Sequence, residues 1–270
     1  MDLSIDMEAS LSKRRPDTGS PKMGDCDRIT VLGIPIDRIT MPEAVDRARA
    51  FLDGGGSHII VTADSAGLVM AQRDAELRDI MRSADLVTPD STGILLAARL
   101  AGTPLPQRVS GIDLAQEICR LCAESGQSVF FLGAAPGVAD EAANALRQKF
   151  PSLRIAGTHD GFFEDDAPVI QQVRQSGAGA LFAAMGIPKQ EKWIARHIKE
   201  TGVAVAIGLG GSFDVFSGRV ERAPAWMRNH GLEWVYRLAR NPRKIRKVAH
   251  LPVFALLTLA ERLGLRRKNC

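Results

Sequence analysis

Two short β-branched runs each close on an aspartate. IIVTAD ends at Asp64, and DLVTPD ends at Asp90, just after a proline. A carboxylate at the end of a buried strand can take a proton from an attacking hydroxyl, the general-base step that sugar transfer or hydrolysis requires. Aspartate ahead of a helical run is also a favoured N-cap. The two roles can coexist, and the sequence leaves both open at both positions.

Three turns rich in Gly or Pro follow other apolar runs. GAAPG, starting at Gly133, opens a helix whose first N–H groups would favour a diphosphate. GIPKQE, starting at Gly186, adds Lys189 as a cation and Gln190 as an amide. GLGG, with Gly208, Gly210 and Gly211, permits close backbone approach, and Asp214 lies just beyond. Glycine after a strand usually only shapes the turn, so the weight rests on the three together. None matches a P-loop, and GLGGSF lacks the spacing of a dinucleotide fingerprint. No G-x-S-x-G elbow occurs, and the five histidines are scattered without metal-ligand spacing. Binding of a nucleoside diphosphate without hydride chemistry fits these turns best, and neither a metal nor another cofactor is expected.

The far end of the chain differs in charge. Residues 219–270 carry 13 Lys and Arg against 3 acids, whereas residues 1–218 carry 22 against 28, behind a net charge of only +4. Such polarity marks an end that meets phosphate, in nucleic acid or at an anionic membrane. Arg237, Arg240 and Arg243 recur at a spacing that could clamp a pyrophosphate, if Asn241 and Pro242 do not rotate them apart. The neighbouring LPVFALLTLA is too short to span a bilayer, which favours an interfacial or docking helix. Trp226, Trp234 and Tyr236 suit either an interface or the contacts that dock this end.

The elements that must position these groups follow from periodicity. Residues 1–25 are polar and turn-rich and read as a disordered tail without a signal-peptide core, so the cytoplasm is the expected location. ITVLGIPID reads as a strand or hairpin. Thereafter apolar runs (SHIIVTAD, DLVTPDS, SVFFLG, LRIAGTHDG, GALFAAMG, VAVAIGLGG) alternate with amphipathic helical stretches, SAGLVMAQRDAELRDIMRSA among them as a single helix. This pattern implies an α/β, Rossmann-like parallel sheet with helices on both faces over 26–218, ligands outside the carboxyl ends of its strands, and a basic helical C-terminal appendage over 219–270. Cys119 and Cys122 fall mid-helix, where a packing role outweighs a redox one.

With these residues in view, the chain resembles the bacterial WecG/TagA/CpsF glycosyltransferase family of N-acetylmannosaminyltransferase type. The resemblance runs from about Ile29 to Arg246, through VTAD, ADLVTPDSTGILLAARLAG, QRVSGIDL, VFFLGAAPGVADEAA, FPSLRIAGTHDGFF, GIPKQEKWI, GLGGSFDVFSGRVERAPAW and LEWVYRLARNPRK. It implies an inverting transferase that passes a sugar from a UDP-sugar to a polyprenyl-diphosphate-linked saccharide at the inner face of the membrane. It further implies Asp90 as the base, Thr62 and Asp64 at the donor-side strand end, Gln190 with the donor, and Arg108 with the acceptor. The basic appendage would reach the lipid diphosphate. Asp64 stands where the family usually has asparagine, and Ser91 where it has glycine after the base. N-acetylmannosaminyl and glucosyl donors both remain open, as does a homo-oligomer. The rival readings are a nicotinamide-dependent oxidoreductase, resting on the Rossmann-like pattern alone, and a nucleic-acid-binding module using the basic tail.

Overall fold

The computed structural model describes residues 27–229, 232, 233, 235, 236, 250–263 and 265. Residues 28–37 form a hairpin, with β1 (Arg28–Val31) antiparallel to β2 (Ile34–Asp37). Leu32 and Gly33 both take positive φ, 51° and 77°, the turn that matches the twist of paired strands. Asp37 is fully buried and fastens the hairpin to the rest of the molecule: its carboxylate accepts from Arg28 Nε at 2.9 Å and from the Val87 N–H at 2.7 Å.

The apolar runs form the six parallel strands β3 (His58–Ala63), β4 (Leu86–Pro89), β5 (Ser128–Gly133), β6 (Arg154–His159), β7 (Ala180–Ala184) and β8 (Val205–Gly208). They lie in the order β4-β3-β8-β7-β5-β6. The helices are, in chain order, α1 (Met41–Gly54), α2 (Ser65–Ala71), α3 (Ala75–Ser83), α4 (Thr92–Leu100), α5 (Gly111–Ser125), α6 (Val138–Lys149), α7 (Asp166–Ser176), α8 (Lys189–Thr201), α9 (Ser212–Phe216), α10 (Ala225–Asn229) and α11 (His250–Arg262). Side-chain alternation along the strands divides the core. Phe131 and Phe182 point to the face covered by α1, α5 and α6, while Phe130 and Leu181 point to the face covered by α7 and α8. Val61, Ala63 and Val87 pack under α2, α3 and α4. Both faces are therefore dry, as a parallel sheet requires.

Two local expectations need correction. The single helix expected after Asp64 is broken into α2 and α3. Asp74 caps α3 by accepting from the Leu77 N–H, and Gln72 reaches out to the Leu32 carbonyl at 2.9 Å. Helix α7 was not read from the sequence. Cys119 and Cys122 lie fully buried inside α5, where burial pushes the Cys122 thiol up to about 12 and Cys119 well above its usual range, so both are packing residues.

No helix among the described residues is long and apolar enough to cross a membrane. Helix α11 lies on α2 and α4, with Phe254 only 4% exposed in the core between them. The Glu261 carboxylate then accepts from the Leu32 N–H at 3.0 Å in the hairpin turn. The expected N-terminal tail and the Arg237, Arg240 and Arg243 clamp lie outside the described residues.

Candidate active site

The carboxyl ends of the strands carry two adjoining groups of functional residues. The first surrounds β3 and β4. Asp90 leaves β4 still paired to the sheet, its N–H donating to the Ala63 carbonyl at 2.8 Å. Arg108 returns alongside, donating from Nε to the Asp90 carbonyl at 2.6 Å and from Nη2 to Asp90 Oδ1 at 3.2 Å. The Gly111 N–H, at the start of α5, lies near enough to the Asp90 carboxylate to favour its ionised form. That helix start can come so close because a Cβ at Gly111 would sit 2.7 Å from Thr62 Cγ2.

Both candidate aspartates could have been caps, and the fold separates them. Asp64 is exposed and caps α2, accepting from the Gly67 N–H at 2.6 Å. The cap of α4 is Ser91, which accepts from the Ile94 N–H at 3.4 Å and meets the Ser65 hydroxyl at 3.0 Å. Asp90 is thus released from capping. Its side chain retains 24% exposure, and its pKa is raised to about 6. Burial is the largest cause; the Arg108 charge and the Gly111 N–H oppose it, and the nearby Asp64 charge adds to it. Much of Asp90 is ionised at neutral pH, yet it holds a proton better than an ordinary carboxylate, as suits a general base.

Arg108, expected with the acceptor, is held by carboxylates on two sides. Its Nη2 also donates to Glu233 Oε2 at 3.0 Å, so one guanidinium lies between two carboxylates. Glu233, only 7% exposed, was not singled out from the sequence. Thr62 points to the neighbouring strand, its hydroxyl donating to the Gly208 carbonyl at 3.1 Å, and so joins this group to the next.

The second group is a cleft of about 660 Å³ over β5, β6, β7 and β8. It brings together Gly186, Lys189, Gly210, Gly211 and Asp214, all expected at the donor site. The Phe162, Phe163 and Glu164 side of the wall was missed, although FF directly after THDG was its visible signal. Lys189 lies on the rim, donating to the Gly161 carbonyl at 3.1 Å, with its ammonium 5.0 Å from the centre of the Phe163 ring.

Three of the residues expected at the donor site make close contacts within the scaffold. A Cβ at Gly133 would meet backbone atoms of Ala184 at 2.6–2.8 Å, so that glycine permits β5 and β7 to end side by side. A Cβ at Gly208 would meet Gln190 Nε2 at 2.6 Å. Gln190 itself is 4% exposed. Its carbonyl accepts from the Gly186 N–H at 3.0 Å and the Gly210 N–H at 2.9 Å, and its amide donates to Glu191 Oε1 at 2.7 Å. Gln190 therefore ties two loops of the cleft together from beneath.

A parallel α/β sheet with a poised carboxylate beside a loop-lined cleft is suited to group transfer from a phosphorylated donor, and the class is a glycosyltransferase: the chain belongs to the glycosyl transferase WecG/TagA/CpsF family, whose sequence model matches residues 29–268. Among individual proteins it is similar to the N-acetylglucosaminyldiphosphoundecaprenol N-acetyl-beta-D-mannosaminyltransferase of Bacillus subtilis, at 32% identity over 233 residues, 86% of this chain and 91% of that one. The protein of the same name from Bacillus spizizenii is 36% identical over 209 residues, covering 77% of this chain and 81% of its own. That from Staphylococcus aureus strain MW2 is 30% identical over 229 residues, covering 84% and 90%.

Proposed function

We propose that this glycosyltransferase moves a sugar from a UDP-sugar to a polyprenyl-diphosphate-linked saccharide with inversion at the anomeric carbon. The observation that carries the reading is Asp90, uncapped, partly exposed and raised to about 6 at the strand end beside the cleft. In the reaction Asp90 takes the proton of the acceptor hydroxyl as its oxygen bonds to the anomeric carbon. The bond from that carbon to the β-phosphate oxygen breaks, and its electron pair leaves with UDP. The Lys189 ammonium, on the rim of the cleft, offsets the charge that develops there, an electrostatic contribution that usually dominates such catalysis. The relatives' names supply the first donor and acceptor to test, N-acetylmannosamine and N-acetylglucosaminyl-diphosphoundecaprenol. A glucosyl donor is the second.

We also place the protein peripherally on the inner face of the cell membrane. Support comes from Leu96 and Leu100 of α4 and Leu256 and Leu259 of α11, exposed on two helices that pack together. Exposed apolar side chains grouped in this way suit a lipid surface better than water. The reaction is tested by Asp90→Asn with a panel of UDP-sugars and the lipid-linked acceptor. UDP binding should survive while UDP release falls at least about a hundredfold. Near-normal release would refute Asp90 as the base. The membrane assignment is tested by Leu256→Glu/Leu259→Glu, which should lose co-sedimentation with anionic liposomes; retention equal to wild type would contradict it.

A further inference from the structure

The Asp90 corner is completed by a residue 125 positions beyond Arg108. Up to Ser217 the chain builds the sheet and its helices; the next segment then turns back across the site. Arg222 grips Asp113 in the first turn of α5 with two bonds of 2.6 and 2.7 Å. Tyr236 donates its hydroxyl to Glu221 at 3.0 Å, and Glu233, from the same stretch of chain, meets Arg108. The same Arg108 Nη2 serves both Glu233 and Asp90, at 3.0 and 3.2 Å. A buried carboxylate so placed does two things to its neighbour. It fixes the direction of the guanidinium, and it offsets part of the positive charge that would otherwise favour ionised Asp90.

We infer that Glu233 is a positioning residue for the transfer: through Arg108 it holds the general base in place and keeps it a stronger base than the arginine alone would allow. This rests on Asp90 being the base. The charged groups facing Asp90 come from three elements: Asp64 from the β3–α2 junction, Arg108 from the loop before α5, and Glu233, through Arg108, from the C-terminal segment. Asp113 is already neutralised by Arg222. Glu233 is the member of this set that the C-terminal segment supplies, so the base is complete only when that segment is folded onto the sheet domain.

The test compares pH profiles of kcat/KM for the full-length protein and for Glu233→Gln, Glu233→Asp and Asp90→Asn, with UDP release as the readout. Glutamine can still accept from Arg108 but removes the charge, so the acid limb should move down by about half a unit to one unit. Aspartate retains the charge on a shorter arm, so turnover should fall while the limb stays near its wild-type position. A residue that only held the fold together would lower activity or thermal stability without moving the limb. An unmoved limb in Glu233→Gln, whatever the change in rate, overturns the inference. Should Gln disturb the segment, Glu233→Ala is read by the same criterion. An Asp90→Asn protein that retains normal turnover removes the base itself and this inference with it, whereas an inactive Asp90→Asn with an unmoved Glu233→Gln limb rejects the inference alone.

Discussion

The Asp90 corner and the cleft over β5 to β8 lie at one edge of one sheet, but they are made of different material. The corner is built from charged side chains: Asp90, Arg108, Glu233 and the neighbouring Asp64, at hydrogen-bonding distances or within Coulombic reach. The cleft is built on loops, with Gly186, Gly210 and Gly211 on one side, Gln190 tying them from beneath, and Phe162, Phe163 and Glu164 on the other side. A side-chain network adjusts proton affinity and responds to a change of one charge. A cradle of loops adjusts shape and responds to a methyl group or a lost tie. The two regions should therefore fail in different ways.

The largest effect should come from Asp90→Asn, with a loss of about a hundredfold to ten-thousandfold in kcat and little change in UDP affinity. The same substitution should stabilise the fold at neutral pH. The folded pKa of Asp90, about 6, lies above its ordinary 3.8. The folded state thus holds the proton more tightly, and stability falls as pH rises between those values and remains reduced above them. Asparagine escapes that cost, so the variant should gain up to about 3 kcal/mol at pH 7.5 and almost nothing near pH 4, read by thermal unfolding at both pH values.

Next in size should be the cleft variants. Gln190→Ala unties the 186 and 210 loops, and it should weaken UDP binding by about tenfold or more, with the acid limb of kcat/KM unmoved. If that limb shifts, the division between corner and cleft is wrong. Lys189→Ala removes a rim cation whose ammonium is exposed and already bonded to the Gly161 carbonyl; a rise of only about threefold to tenfold in donor KM is expected. The smallest effect belongs to Asp64→Asn. Asparagine keeps the α2 cap, and removing the Asp64 charge should lower the acid limb by a few tenths of a unit with activity otherwise retained.

Much of this arrangement could be read from residue order. Runs such as SVFFLG and GALFAAMG are apolar throughout, which only a strand covered on both faces tolerates, and they became β5 and β7. Asp90 and the glycines at 186, 210 and 211 were visible because strand-end chemistry is local. Which aspartate caps its helix was not, since the answer turns on Ser91 taking the cap one residue later. Gln190 and Lys189 adjoin in sequence, but successive helix positions point in different directions, so Lys189 faces solvent while Gln190 faces the interior. The break between α2 and α3 had a signal, an aspartate at 74 inside an otherwise continuous pattern. Glu233 had none. Its role depends on a contact across 125 residues, set by how the segment after Pro224 returns to the sheet.

The most direct measurement is the pH dependence of kcat/KM between pH 4.5 and 8.5 for UDP release to the lipid-linked acceptor, because that ratio reports groups of the free enzyme. The expected result is one acid limb near the raised value of Asp90, about 6, absent from whatever activity Asp90→Asn retains. A limb at an ordinary carboxylate position near 4, or one that persists in Asp90→Asn, would contradict the assignment of Asp90 as the general base.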